Sequence, residues 1–106
     1  MNRVVLTGSL AERGILRYTP AGLPALDLRL THASEVVEAG AVRKIAFEIR
    51  ALALGELAGQ AAQLAVGEAI QVEGFLGPAF RGAGVRLHVT GFQPMSSPPI
   101  RSKVQE

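Results

Sequence analysis

The sequence of 106 residues predicts an all-β domain: a five-stranded barrel with one short helix between strands 3 and 4. Three observations carry that expectation. Apolar and polar residues alternate with period two in five separate stretches, the spacing of strands with one buried face. One segment alone, Leu54 to Leu64, changes to helical spacing, with Leu54, Leu57, Ala61 and Leu64 near one face. Turn residues punctuate the stretches, most clearly in Thr19-Pro20-Ala21-Gly22-Leu23-Pro24.

The first strand covers residues 3 to 10, where Val4, Leu6 and Leu10 alternate with Val5, Thr7 and Ser9. The turn follows. Pro20 presets φ and Gly22 can take φ > 0, so the chain reverses into a second strand from Pro24 to Ala33. There Leu26, Leu28 and Leu30 face one way and Asp27, Arg29 and Thr31 the other. A third strand runs from Val42 to Ala53 and forms a hairpin with the second, across a polar, glycine-containing connection at 34–41. On it Ile45, Phe47, Ile49 and Ala51 share the core phase, which puts Phe47 among the packed residues. Lys44, Glu48 and Arg50 fall on the solvent side.

The helix at 54–64 contains Gly55 and Gly59, each about 1 kcal/mol less favourable than alanine, so packing must hold it. After Gly67, Ile70, Val72 and Gly74 alternate with Gln71 and Glu73; later Val85, Leu87 and Val89 alternate with Arg86, His88 and Thr90. These are strands four and five. Phe75 and Phe92 fall on their polar phases, where either solvent or a subunit interface meets them. Three strands, a short helix and two strands is the order expected of an OB-fold, whose second and third strands and adjoining loops usually form the binding face. The domain spans 1–95. Adjacent prolines and sparse apolar content mark 96–106 as a tail expected to be disordered.

Composition narrows the function classes. With no cysteine there is neither a disulfide framework nor a thiolate nucleophile, in keeping with a reducing cytoplasm. No signal peptide is expected from the short apolar stretch at Val4–Leu6, and no apolar run approaches the roughly 20 residues of a membrane span. His32 is in phase with the core leucines and His88 with Arg86; their separation suits no metal-ligand motif, and no metal or cofactor is expected. Neither a glycine-framed serine nor a Walker loop is present, so nothing supports an enzyme.

Net charge is only +2, so the placement of the bases decides whether a polyanion can bind. Lys44 and Arg50 share one strand, Arg17 precedes the turn, and Arg81 and Arg86 flank the glycine-rich loop 77–84. Tyr18, at the edge of the turn, is either a base-stacking ring or a turn-packing one. Phe80, beside Arg81 in a flexible loop, suits stacking on single-stranded nucleic acid.

The motifs Asn2-Arg3-Val4-Val5-Leu6-Thr7-Gly8, Arg17-Tyr18-Thr19-Pro20-Ala21-Gly22 and Val72-Glu73-Gly74-Phe75-Leu76, in that order, resemble the bacterial single-stranded-DNA-binding superfamily. The resemblance covers roughly residues 2 to 93. Short length, the Gly-Leu-Pro end of the turn, Leu30-Thr31-His32 and the lack of an acidic tail bring the chain nearest its primosomal replication protein N (PriB) family. That resemblance implies a homodimer that binds single-stranded DNA and contacts the restart helicase PriA and a primosomal loading protein. It also implies backbone contacts from Arg81 and Arg86, while the aromatic positions expected in the hairpin and on strand three are occupied by Ala41 and Ala46. Two alternatives stay open: a general single-stranded-DNA-binding protein, and a protein-interaction adaptor with weak DNA binding.

Overall fold

A computed structural model describes residues 1–79 and 84–95. Its elements are β1 (Val4–Arg13), β2 (Arg17–Tyr18), β3 (Pro24–Glu38), β4 (Ala41–Leu54), α1 (Glu56–Ala61), β5 (Ala69–Pro78) and β6 (Val85–Pro94). The strands neighbour one another in the order β1-β5-β6-β4-β3-β2, and β1 also pairs with β3. Five strands thus close into a barrel, and the two-residue β2 rides on the edge of β3. All pairings are antiparallel except β4 with β6. This is the OB-fold that the element order predicts.

Closure requires β1 to serve two partners. Val4 to Ser9 pairs with β5, Ser9 to Arg13 pairs with β3, and a bulge between Leu10 and Glu12 marks the change. Inside the barrel the period-two leucines of β3 meet β4, β5 and β6: Leu26, Leu30, Ile70, Val72 and Leu87 are at most 1% exposed. The expected turn closes β2 onto β3. The Thr19 carbonyl accepts from Gly22 N–H at 2.8 Å, and Gly22 takes φ 87°.

The helix is shorter than its spacing suggested, because β4 continues through Leu54, which is exposed rather than packed on the helical face. Gly55, at φ 75°, then turns the chain into α1. Ala58 and Ala61 are buried, so small side chains let the helix lie against the barrel. Arg13 secures its exit, donating from Nη1 to the Ala62 carbonyl at 2.7 Å and to that of Leu64.

Further expectations need correction. The segment 34–41 is not a separate connection: β3 and β4 stay paired out to Glu38↔Ala41, and only Ala39 and Gly40 turn, at φ 52° and 80°. Positive φ at both central residues suits a two-residue hairpin whose twist matches its strands. Val36, Val37 and Val42 favour extended backbone, and opposite charges face across the ladder, Glu35↔Lys44 by register and Arg43 Nε to Glu38 at 2.9 Å.

Phe47, expected in the core, is 41% exposed. Its phase is right, since Ala51 on the same face is buried, but the barrel ends near Ile49 and the paired strands continue as an arm beyond it. There the ring meets His32, with centroids 5.0 Å apart. Phe92, conversely, packs against the core despite its apparently polar phase. The β5–β6 register shifts between Glu73 and Gly74, so Phe92 pairs with Val72 while Val89 pairs with Gly74; one extra residue in β6 reverses the alternation. Val85, in phase with Leu87, lies past the packed end of β6 and is exposed. The tail 96–106 lies outside the described residues.

Candidate nucleic-acid interface

Strand pairing turns scattered sequence positions into rows across the outside of the barrel. On the outward phase of β3 and β4, Asp27 lies opposite Leu52 and Arg29 opposite Arg50. The parallel register sets Ala51 beside Leu87 and Leu52 beside His88, so Arg50 and Arg86, each one residue earlier, continue along one outer row. The β5–β6 ladder then sets His88 opposite Phe75 and Arg86 opposite Gly77. One row reads Asp27, Leu52, His88, Phe75. The next reads Arg29, Arg50, Arg86, Gly77. Adjacent strands lie about 4.8 Å apart, close enough for neighbouring guanidinium groups to act on one ligand.

Such a row of like charges needs compensation. Arg29 has it: the hydrogen bond and charge of Glu12, and then the charge of Glu48 at 3.5 Å, hold its guanidinium more firmly protonated than usual. Arg50 and Arg86 have no carboxylate partner among the described residues. The Arg86 Nε is shielded from solvent and has no hydrogen-bond partner among the described residues.

The turn delivers its residues to the same wall. Arg17 donates from Nε and Nη2 to Asp27 Oδ2 at 3.2 and 3.1 Å, joining the end of the first row. Tyr18, with no aromatic neighbour among the described residues, is 67% exposed, so its ring is open to solvent rather than packed in the turn. Lys44 is different. It lies on the outward phase of the arm opposite Glu35, six residues and about 20 Å of strand from Arg50. The structure does not bring it to the arginine row. Between them stand Ala46, which faces Ala33 and offers no ring, and the acidic Glu48, which faces Thr31.

Phe80 and Arg81 lie outside the described residues. The ends of their loop are joined, Ala79 N–H donating to the Gly84 carbonyl at 3.0 Å, and a groove lined by Phe47, Glu48, Ile49, Arg50, Ala79 and Val85 brings Arg50 to the base of that loop. Arg29 is a residue that the sequence alone does not single out. Its outward phase was visible in the sequence, but its place beside Arg50 depends on the hairpin register. The Phe75–His88 pair was equally hidden, being made by long-range pairing and a bulge.

The other side of the molecule has a different character. Arg3 Nε donates to Glu73 Oε2 at 2.7 Å, and this hydrogen bond and charge hold the Glu73 carboxyl below the usual carboxylate range. His32 is satisfied at both nitrogens. The Thr7 carbonyl accepts from Nδ1 at 2.6 Å, and Nε2 shares a hydrogen bond of 2.8 Å with the Ser34 hydroxyl. Among the described residues no three His, Cys, Asp or Glu side chains cluster as metal ligands would.

Comparison with known proteins agrees with this geometry. Residues 2–91 match the model of a family described as another single-strand binding protein family. Replication restart protein PriB of Bordetella pertussis is 49% identical over 90 residues, covering 84% of each chain. That of Nitrosomonas europaea is 36% identical over 75 residues, covering 71% of this chain and 69% of its own. The crystal structure of PriB from Ralstonia solanacearum superposes with a TM-score of 0.82 at 32% identity, over 91% of this chain and 99% of its own. Wild-type single-stranded DNA binding protein from Thermus aquaticus gives 0.73 at 32% identity, over 91% of this chain and 50% of its own. A barrel of this shape, matched along nearly all its length in sequence as well as in space, places the chain in the single-strand binding protein family, within its replication restart PriB branch.

Proposed function

We propose that this protein is a non-enzymatic, single-stranded-DNA-binding component of the replication restart primosome. The observation that carries the proposal is the cross-strand row Arg29-Arg50-Arg86, with two of its three cations lacking a carboxylate partner among the described residues. Phosphates displace counterions from such a row, and the binding is correspondingly sensitive to salt. Arg17 extends it, Tyr18 offers a ring at its end, and Phe80 and Arg81 are assigned from their residue types alone a base-stacking and a phosphate contact. Kinship with replication restart proteins supports a cytoplasmic homodimer that works with PriA and a primosomal loading protein.

One observation favours a second reading, an adaptor that binds DNA weakly and proteins mainly. Arg17, Arg29 and Arg43 all face carboxylates, and Ala33 and Ala46 replace what a stacking surface would need. Titration of labelled oligo-dT at two salt concentrations separates the two. Saturable binding that weakens steeply with salt is the expected result; no saturation at low salt would leave only the adaptor.

A further inference from the structure

We infer that the stacked pair Phe75–His88 is a nucleobase-stacking site, and that single-stranded DNA crosses the barrel wall from the arginine row onto β5 and β6. The inference rests on the DNA-binding reading above and assigns to it a contact that lies away from the β3–β4 arm.

The two rings are stacked and nearly parallel, their planes 8° apart and their centroids 4.8 Å from one another. They project from the outer face, since their strand neighbours Gly74, Leu76, Leu87 and Val89 form the inward set. Phe75 remains 40% exposed although it is backed by His88. A ring already held by a neighbour loses little freedom when a base stacks on it, and that is how a preorganised platform gains affinity. Gly77 seats the histidine: a Cβ there would lie 2.8 Å from His88 Nε2, so any other residue would push the imidazole from its place.

A lone exposed phenylalanine on a strand is ordinary. This one adjoins a row of guanidinium groups. Gly77, which makes room for His88, is itself the register partner of Arg86, whose Nε is shielded and unpartnered among the described residues. A phosphate at Arg50 and Arg86 therefore leaves the attached base within reach of Phe75. Backbone charge and a π-face one row apart are the two parts that sequence-tolerant single-strand binding combines. They also offset the missing rings at Ala41 and Ala46.

The test compares oligo-dT with an abasic oligonucleotide of equal length, by fluorescence anisotropy, for the full chain and its Phe75→Leu and Phe75→Tyr variants. Leucine preserves an apolar side chain on the strand, and thermal melting verifies the fold. Phe75→Leu is expected to weaken oligo-dT binding about five- to a hundredfold while leaving abasic binding and the salt slope in place, and Phe75→Tyr to restore it. Photocrosslinking of 5-iododeoxyuridine to the unaltered chain is expected to mark Phe75 or His88, with no dependence on any variant's folding. Equal affinity of wild type and Phe75→Leu for oligo-dT, or crosslinks only elsewhere, would overturn the inference and leave DNA binding itself intact. Absence of any oligo-dT binding by wild type would remove both. Loss of self-association with unchanged DNA affinity would make the face a contact between copies of the chain instead.

Discussion

β3 and β4 do two different jobs with one alternating pattern. Between Leu26 and Ala53 their inward residues meet three other strands and a helix, and the leucines vanish from solvent. Beyond Leu30 and Ile49 the same phase continues through His32, Phe47 and Ile45, yet no further strand closes over it. Alternation fixes which side chains share a face. Whether that face is buried depends on how far the neighbouring strands extend, which is a property of the whole barrel.

A glycine in each region tests the contrast. Gly74, in the wall, approaches the His88 carbonyl so closely that an added methyl would collide with fixed backbone. Gly74→Ala is expected to cost about 3 kcal/mol or more, or to prevent folding. Gly40, at the tip of the arm, has open space around it and only its φ of 80° to protect. Gly40→Ala should cost about 1 kcal/mol. Urea denaturation of both variants decides the point; comparable losses would mean the arm is as tightly built as the barrel.

The side chains of the shared face give the next contrast. Leu30→Ala leaves a cavity in a closed core and should cost about 2–5 kcal/mol. Phe47→Ala removes a larger ring, but one that is 41% exposed and touches His32, so about 1 kcal/mol is expected. A cost for Phe47→Ala as large as for Leu30→Ala would show that something covers the arm in solution.

The outer face divides similarly. Arg50 stands in the arginine row, whereas Lys44 stands opposite Glu35 on the arm. Arg50→Ala should reduce the slope of log affinity against log salt by about 0.7, the share of one phosphate contact on a single strand. Lys44→Ala should change it by less. Equal slopes for Lys44→Ala and Arg50→Ala would extend the DNA path along the arm.

These contrasts explain what could be read from the chain. The barrel was legible because each strand's alternation is local, and so was the turn at Pro20 and Gly22, where each residue supplies a backbone angle. The arm was not, because Ser34 to Ala41 looks like a polar connection until Glu35 meets Lys44 and Glu38 meets Arg43 across the ladder. Phe92 was misplaced by one bulged residue, a register event that leaves no mark in its own sequence neighbourhood. The site was half visible: Arg50 and Arg86 by their phase, but Arg29 and the Phe75–His88 stack only after three strands had been aligned. Contacts between residues far apart in sequence are set by closure of the barrel, and no single strand contains that information.

The smallest expected effect lies on the wall away from the arginine row, where Arg3 holds Glu73. The hydrogen bond and positive charge lower the native carboxyl below its unfolded value, so the native state binds this proton more weakly than the unfolded chain does. The pair therefore contributes above the unfolded carboxylate range, and the contribution disappears as pH falls through the depressed native value. Both side chains are in solvent, which limits its size. Arg3→Gln should return the Glu73 titration, followed by NMR, towards the ordinary carboxylate range and flatten this part of the acid limb of stability. An unchanged Glu73 midpoint would mean that the ion pair does not persist in solution, and the pairing of β1 with β5 would then rest on its backbone ladder and the core residues beneath.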